Sequence, residues 1–301
     1  MRSTIIVALI TLAALTSAAS AQPSLASLWP NDNGMRWEFD YSYEEAVMPP
    51  DYGGHSFTSS AFLHLDGTHQ IPGGLAQVLR GEHDEAPGRA TDAPPALPAL
   101  WRAIWRARPD LRDRIAARYD AARQDGIWRP LLLHPGYFVK TEQIIEMWQD
   151  EWFHPTWTYL ENDITVGASF VHQLLPEFAD DIFLYGTVAA IDATVSTNAG
   201  VFTDAVRMDY VIDMGWQVAM NDQGDAVGRS RSEVAGYVHY GPQVGPLNML
   251  EEFFPFAEID WGSVEWQEWL GVPVETQTLS LTSMPVASRT VTWSAVKRLF
   301  E

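Results

Sequence analysis

The sequence predicts a mainly β fold of the α+β type. The expected core is a large curved antiparallel sheet of roughly 10–12 strands, with a two-helix insert packed on it as a lid. Three observations predict this. Residues 35–43 alternate without error, with Met35, Trp37, Phe39, Tyr41 and Tyr43 on one face and Arg36, Glu38, Asp40 and Ser42 on the other. A period of two belongs to a half-buried strand. The pattern returns at 206–214, where Val206, Met208, Tyr210, Ile212 and Met214 oppose Arg207, Asp209 and Asp213. Between them the period changes once. Leu97, Leu100, Trp101, Ile104 and Trp105 fall on one helix face, and Leu111, Ile115 and Tyr119 continue on a second helix after Pro109.

Taken in order, residues 1–21 read as a secretory signal peptide. Arg2 supplies the positive start and Ile5 to Leu15 the apolar run, and Ala19-Ser20-Ala21 forms a small-residue cleavage site. The apolar run is too short to span a bilayer, so no transmembrane segment is expected after cleavage. Residues 22–301 then form a single β-rich domain. Asn31-Asp32-Asn33-Gly34 is a turn before the first strand. His55 to Leu65 is a second strand, Asp66-Gly67 a hairpin turn, and Thr68 starts the return strand, interrupted at Pro72-Gly73-Gly74.

A Pro/Ala-rich connector, 84–98, leads into the Arg-rich helical insert at about 97–124. Strands follow at Ile127–Leu133, Tyr137–Trp148 and Thr156–Leu160, with Ala168–Leu175 open between strand and helical turn. Ile182–Val195 and Val201–Met214 pair as long strands. Trp216–Met220, a turn at 221–225 and Arg229–Tyr240 complete a meander. Residues 241–275 read as an irregular, Trp- and Phe-rich segment. Gln277–Ser283 and Arg289–Ala295 read as a closing hairpin.

Composition narrows the partners. The 301 residues hold 39 Asp+Glu against 19 Lys+Arg, a net charge of −20, and loss of Arg2 with the leader makes the chain more acidic still. Such a chain repels phosphate backbones, so nucleic acid is excluded as a partner and anionic lipid surfaces are disfavoured. The chain has no cysteine, which rules out disulfides, thiol catalysis and lipid attachment at the cleavage site. No nucleotide-binding loop, nucleophile elbow or H-E-x-x-H zinc motif is present. No cofactor is called for, and no catalytic residue stands out.

Three constellations carry chemistry that can be weighed. His64, Asp66 and His69 flank the expected hairpin turn and are weak candidates for a metal site, since imidazoles and a carboxylate suit zinc. Asp222 and Asp225 share a tight loop, though without the length of a calcium loop. Glu251-Glu252, Glu265 and Glu268 lie among Trp261, Trp266 and Trp269. Paired carboxylates beside aromatic platforms are the equipment of a glycoside hydrolase, and the three tryptophans alone would suit a sugar or apolar ligand.

Three segments carry a resemblance. Trp29-Pro30, Gly34-Met35-Arg36-Trp37 and Tyr41 resemble the P-L-x-x-G-N-x-W-x-Y opening of uncharacterised bacterial secreted and lipoprotein-like proteins. Met35 stands in place of the asparagine and Asn31 in place of the leucine. Ala199 to Arg207 resembles their A-G-x-F-x-D-x-x-R segment, and Tyr237 to Pro246 their Y-Y-A-x-G-V-G-x-V segment. The resemblance implies a curved antiparallel sheet wrapped on helices, similar in outline to periplasmic lipoprotein carriers, and carries no catalytic residue with it.

The expectation that results is a non-enzymatic exported protein of the periplasm or cell surface of a bacterium. It would hold an apolar or glycan ligand, or contact an envelope protein partner, through Trp37, Phe39, Tyr41, Met208 and Tyr210 on its sheet. A carboxylate-dependent glycoside hydrolase and a structural or outer-membrane-associated β protein are the alternatives.

Overall fold

A computed structural model describes residues 23–30, 32–45, 56–72, 74–83, 131–133, 136–141, 143–148, 157–161, 163–174, 181–220, 226–259, 267–269, 273 and 275–287. The expected leader at 1–21, the expected helical pair at 97–124, the expected 221–225 turn and the strand expected at 289–295 lie outside these residues. Among the described residues helix is limited to one turn, α1 (Leu25–Leu28), and a 3-10 turn at Leu131–Leu133 where a strand was expected.

Everything else is one antiparallel sheet. Its first meander comprises β1 (Met35–Glu45), β2 (Ser56–Ile71), β3 (Gly74–His83), β4 (Gly136–Lys140), β5 (Ile144–Trp148) and β6 (Trp157–Glu161). The second comprises β7 (Ser169–Gln173), β8 (Phe183–Thr197), β9 (Gly200–Met220), β10 (Ala226–Gly241) and β11 (Gly245–Ile259). Short β12 (Gln267–Trp269) pairs with β11, and β14 (Val286–Ala287) with β1. The splice is β13 (Glu275–Leu281), which lies between β1 and β11 and pairs with both. The order is thus β6-β5-β4-β3-β2-β1-β13-β11-β10-β9-β8-β7.

This order forces the sheet to curl. The two edge strands, β6 and β7, are consecutive in sequence. Laid flat, twelve strands would hold their edges roughly 50 Å apart. The chain from Glu161 to Ser169 reaches at most about 28 Å. The sheet therefore rolls into a nearly closed barrel, and the edges meet side by side. No backbone ladder joins β6 to β7. Their contact is made by side chains, with His172 Nε2 2.9 Å from Glu161 Oε1.

The alternation read from the sequence points into this barrel. Met35, Trp37, Phe39, Tyr41 and Tyr43 are all buried, as are Met208, Tyr210, Ile212 and Met214. The outer face carries Asp40, Ser42, Arg207, Asp209, Asp213, Arg231 and Glu233, none of them buried. Apolar inside and charged outside is the reverse of a lipid-embedded barrel, whose apolar band faces outward.

The N-terminal segment fills the interior beside these strands. Leu25, Leu28 and Trp29 are at most 1% exposed. The Trp29 ring meets Phe138 and Tyr159 at 4.9 Å, Tyr240 at 5.6 Å and Trp37 at 6.2 Å. Lys140 Nζ donates to the carbonyls of Ala26 (2.9 Å) and Trp29 (2.5 Å), which satisfies the end of the helical turn.

Several expectations are corrected. Asp66-Gly67 is a β-bulge inside β2, two residues facing Val78 alone, because Leu65 pairs with Leu79 and Thr68 with Gln77. Gly67 has φ +78°, and its N–H donates to Asn33 Oδ1 at 2.7 Å. The turn comes later, where β2 ends at Ile71 and β3 begins at Gly74. Tyr137–Trp148 is two strands, β4 and β5. The 241–275 segment is not irregular at its start, since β11 runs from Gly245 to Ile259 and pairs along both edges. Gln277 belongs to a strand that joins the two meanders rather than to a terminal hairpin.

Candidate ligand-binding site

One row of inward positions crosses the second meander and explains the local geometry. Phe170 pairs with Gly186, Gly186 with Tyr210, Tyr210 with Gly236, Gly236 with Glu251, and Glu251 with Gln277. Each glycine is covered by its aromatic neighbour. A Cβ at Gly186 would lie 2.2 Å from the Phe170 ring, and one at Gly236 would lie 2.9 Å from the Tyr210 hydroxyl. The bare glycines let both rings lie flat across the sheet. Tyr210 thereby reaches over β10, and its hydroxyl donates to Glu251 Oε2 at 3.1 Å. Tyr41 donates to Gln277 Oε1 at 3.0 Å in the neighbouring strands.

Two cavities lie next to this row. The inner one, about 10 Å³, has room for about one water molecule. It is lined by Thr158, Tyr159, Phe170, Met208, Tyr210 and Tyr240, among others. The outer one, about 70 Å³, is lined by Glu161, Asp163, Ser169, Phe170, Val188 and Met208, with Ala168. Phe170 and Met208 line both and separate them. Both cavities lie behind the β6–β7 seam.

Electrostatically the inner cavity is a set of neutral hydroxyls in an apolar wall. Burial pushes the Tyr159, Tyr210 and Tyr240 hydroxyls far above the usual tyrosine range, and for Tyr210 the Glu251 carboxylate adds to the shift. These groups are hydrogen-bonding partners, not acids, at any physiological pH. On the outer face, burial lowers the pKa of His239 against the opposing effect of its 2.7 Å bond from Nδ1 to Asn248 Oδ1.

The residues expected to bind ligand divide accordingly. Met208 and Tyr210 line the inner cavity. Trp37, Phe39 and Tyr41 are core, at most 1% exposed; Trp37 Nε1 donates to the Val244 carbonyl at 2.6 Å. Trp261 and Trp266 lie outside the described residues. Trp269 sits in β12 opposite Ala257. The adjacent pair Glu251 and Glu252 is divided by the strand, with Glu251 buried in the interior and Glu252 partly exposed on the other face.

The expected metal constellation is not assembled. With no hairpin at 66–67, His64 and His69 lie along one strand instead of facing each other. Asp66 pairs with Arg80 at 3.5 Å, and the His69 ring stacks on Tyr137 at 4.6 Å. Among the described residues no three His, Asp or Glu side chains are grouped to hold a metal.

Phe170, Tyr159 and Tyr240 were missed as site residues. Tyr240 alternates with Val238 and could have been found by its period. Phe170 and Tyr159 lie in five-residue strands, too short for a period to single out.

No family model matches the chain, and no curated protein matches it. Among solved structures, it is similar to a candidate exported protein with a YmcC-like fold from Bacteroides fragilis. The identity is 11%, the TM-score 0.31, and the match covers 86% of this chain and 99% of that one. It is likewise similar to a candidate lipoprotein from Parabacteroides distasonis, at 11% identity and TM-score 0.32, covering 88% and 100%. Likeness at this level fixes neither fold nor role. Among the described residues no helix is long and apolar enough to cross a membrane.

Proposed function

We propose that this is an exported, non-enzymatic binding protein of the bacterial envelope that takes an apolar or sugar-like ligand into its sheet. The observation that carries this reading is the pair of cavities behind the seam, which share Phe170 and Met208; the inner adds the hydroxyls of Tyr159, Tyr210 and Tyr240, and the outer adds Val188 and the polar Glu161, Asp163 and Ser169. Apolar walls with a few fixed polar groups are what small-molecule sites are made of. The leader at 1–21 supports export. Glu251 and Glu252 lie on opposite faces of β11, which weighs against that pair acting together in the hydrolase alternative, whose further carboxylate Glu265 lies outside the described residues.

A second reading, contact with an envelope protein partner, is favoured by the outer face of β9. Trp216 is 40% and Val218 63% exposed there. Arg229 lies 4.3 Å from the Trp216 ring centroid and Arg231 5.9 Å from it. Exposed Trp with Arg is a composition enriched at interfaces.

Native mass spectrometry of the protein purified gently from its own envelope tests the first reading. A reproducible excess mass that disappears on denaturation is expected. A bare mass, together with a co-purifying protein, would replace it with the second.

A further inference from the structure

The two cavities and the seam belong together. Along the strand path every neighbouring pair is joined by a backbone ladder. At the β6–β7 seam the ladder is missing, and the bridging contact is the partly exposed His172–Glu161 pair. This is where the barrel separates most easily, because no row of backbone bonds has to break. Directly behind it lies the outer cavity, with Glu161, Asp163 and Ser169 at its polar end and Val188 and Met208 at its apolar end. Behind that, across Phe170 and Met208, lies the inner cavity with Val238 and Met249 in its wall.

Phe170 is the residue on which a merger of the two cavities turns. It sits on an edge strand, in a seat that exists because Gly186 has no side chain. Its ring also packs against His172, 5.3 Å away, so the latch and the divider touch. Methionine on the far side offers a wall that reshapes at little cost.

We propose that the β6–β7 seam is the entrance to a single site, formed when the Phe170 ring leaves Gly186 and the two cavities merge. The site takes an amphipathic ligand, with an apolar chain or ring lying against Met208 and Met249 and an uncharged or cationic polar end at Glu161 and Asp163. This inference rests on the ligand-binding reading above and adds its route, its gate and its ligand class.

The test uses the full chain and the neutral apolar fluorophore N-phenyl-1-naphthylamine. The absence of native cysteine makes Glu161→Cys/His172→Cys a clean pair, and bismaleimidoethane bridges it across the seam. Wild type is expected to bind the probe saturably. Because Glu161 itself lines the site, the unbridged double variant is the reference, and the bridged one should bind at least ten-fold more weakly than it. Phe170→Ala should bind several-fold more tightly than wild type. Saturable binding that bridging leaves unchanged would overturn the seam while leaving the ligand-binding reading in place. No saturable binding by wild type or Phe170→Ala would overturn both.

Should either variant fail to fold, amide exchange on wild type decides. Amides of β6 and β7 should exchange faster than those of β9 and β10 and slow on probe addition. Equal exchange, unmoved by the probe, would overturn the proposal.

Discussion

Trp29 offers the sharpest quantitative prediction. It lies outside the sheet ladder, yet it is fully buried and meets four aromatic rings. Truncating a buried Trp to Ala ordinarily costs about 3–5 kcal/mol. Here the indole nitrogen has no hydrogen-bond partner among the described residues, and an unsatisfied buried donor already costs the fold about 1–3 kcal/mol. Removing it recovers part of the loss, so Trp29→Ala should destabilise by about 2–4 kcal/mol. Trp29→Phe keeps a ring in the cage and removes the orphan donor, so it should stay within about 1 kcal/mol of wild type.

Trp216→Ala, on the outer face, loses the cation–π contact of Arg229 and the longer one of Arg231, together worth about 0.5–1 kcal/mol at an exposed site. Urea unfolding followed by far-ultraviolet circular dichroism, which does not depend on tryptophan emission, measures all three. A Trp29→Ala cost below about 1 kcal/mol, or a Trp29→Phe cost equal to that of Trp29→Ala, would refute the packing of the N-terminal segment inside the barrel.

Other predictions test other parts. Gly236→Ala places a Cβ 2.1 Å from the Leu250 carbonyl oxygen; because backbone cannot swing aside, it should cost about 2–3 kcal/mol. Gly67→Ala meets no atom within 4 Å and carries only its left-handed backbone, about 1–2 kcal/mol in the same assay. Lys140→Met takes the donor from the part-buried Trp29 carbonyl, while the exposed Ala26 carbonyl can turn to water; it should cost about 0.5–1.5 kcal/mol, with the N-terminal segment the first region to gain amide exchange.

The buried Tyr159, Tyr210 and Tyr240 hydroxyls ionise far above their unfolded value of about 10. Above pH about 10 the unfolded chain releases protons that the folded chain retains, so stability falls as pH rises past that point. Absorbance at 295 nm should show these three tyrosines titrating only with unfolding. Titration of all ten near pH 10 with the circular dichroism intact would contradict their burial.

Much of the sheet was legible because burial follows a period of two. Met35 to Tyr43 and Val206 to Met214 alternate since one face of each strand meets the interior and the other meets water. What was illegible has physical reasons. Asp66-Gly67 was read as a hairpin because a positive φ suits a turn and a bulge equally, and only the opposing strand decides between them. The β11 strand was obscured by Pro246 and Pro255 and by aromatic residues on both faces. The partner of Glu251 is Tyr210, forty-one residues away, joined to it across a glycine that looks unremarkable in sequence. The seam is set by topology. Nothing local in Trp157–Glu161 or Ser169–Gln173 announces that these are the two edges of the sheet, brought together by the loop between them. Trp29 follows one short helical turn, where no period can develop.

β13 splices the two meanders, and without that pairing neither the closure nor the seam exists. Ser42 Oγ and Thr278 Oγ1 face each other across β1 and β13 at 2.6 Å. In this cysteine-free chain, Ser42→Cys/Thr278→Cys should form a disulfide spontaneously in air. Ser42→Cys/Ser280→Cys, a diagonal pair with Cβ atoms about 7–8 Å apart, should not. Mass spectrometry of peptides from the non-reduced protein reads the result. A bond in the first variant alone is the predicted outcome; a bond in neither, or equally in both, would contradict the closed sheet.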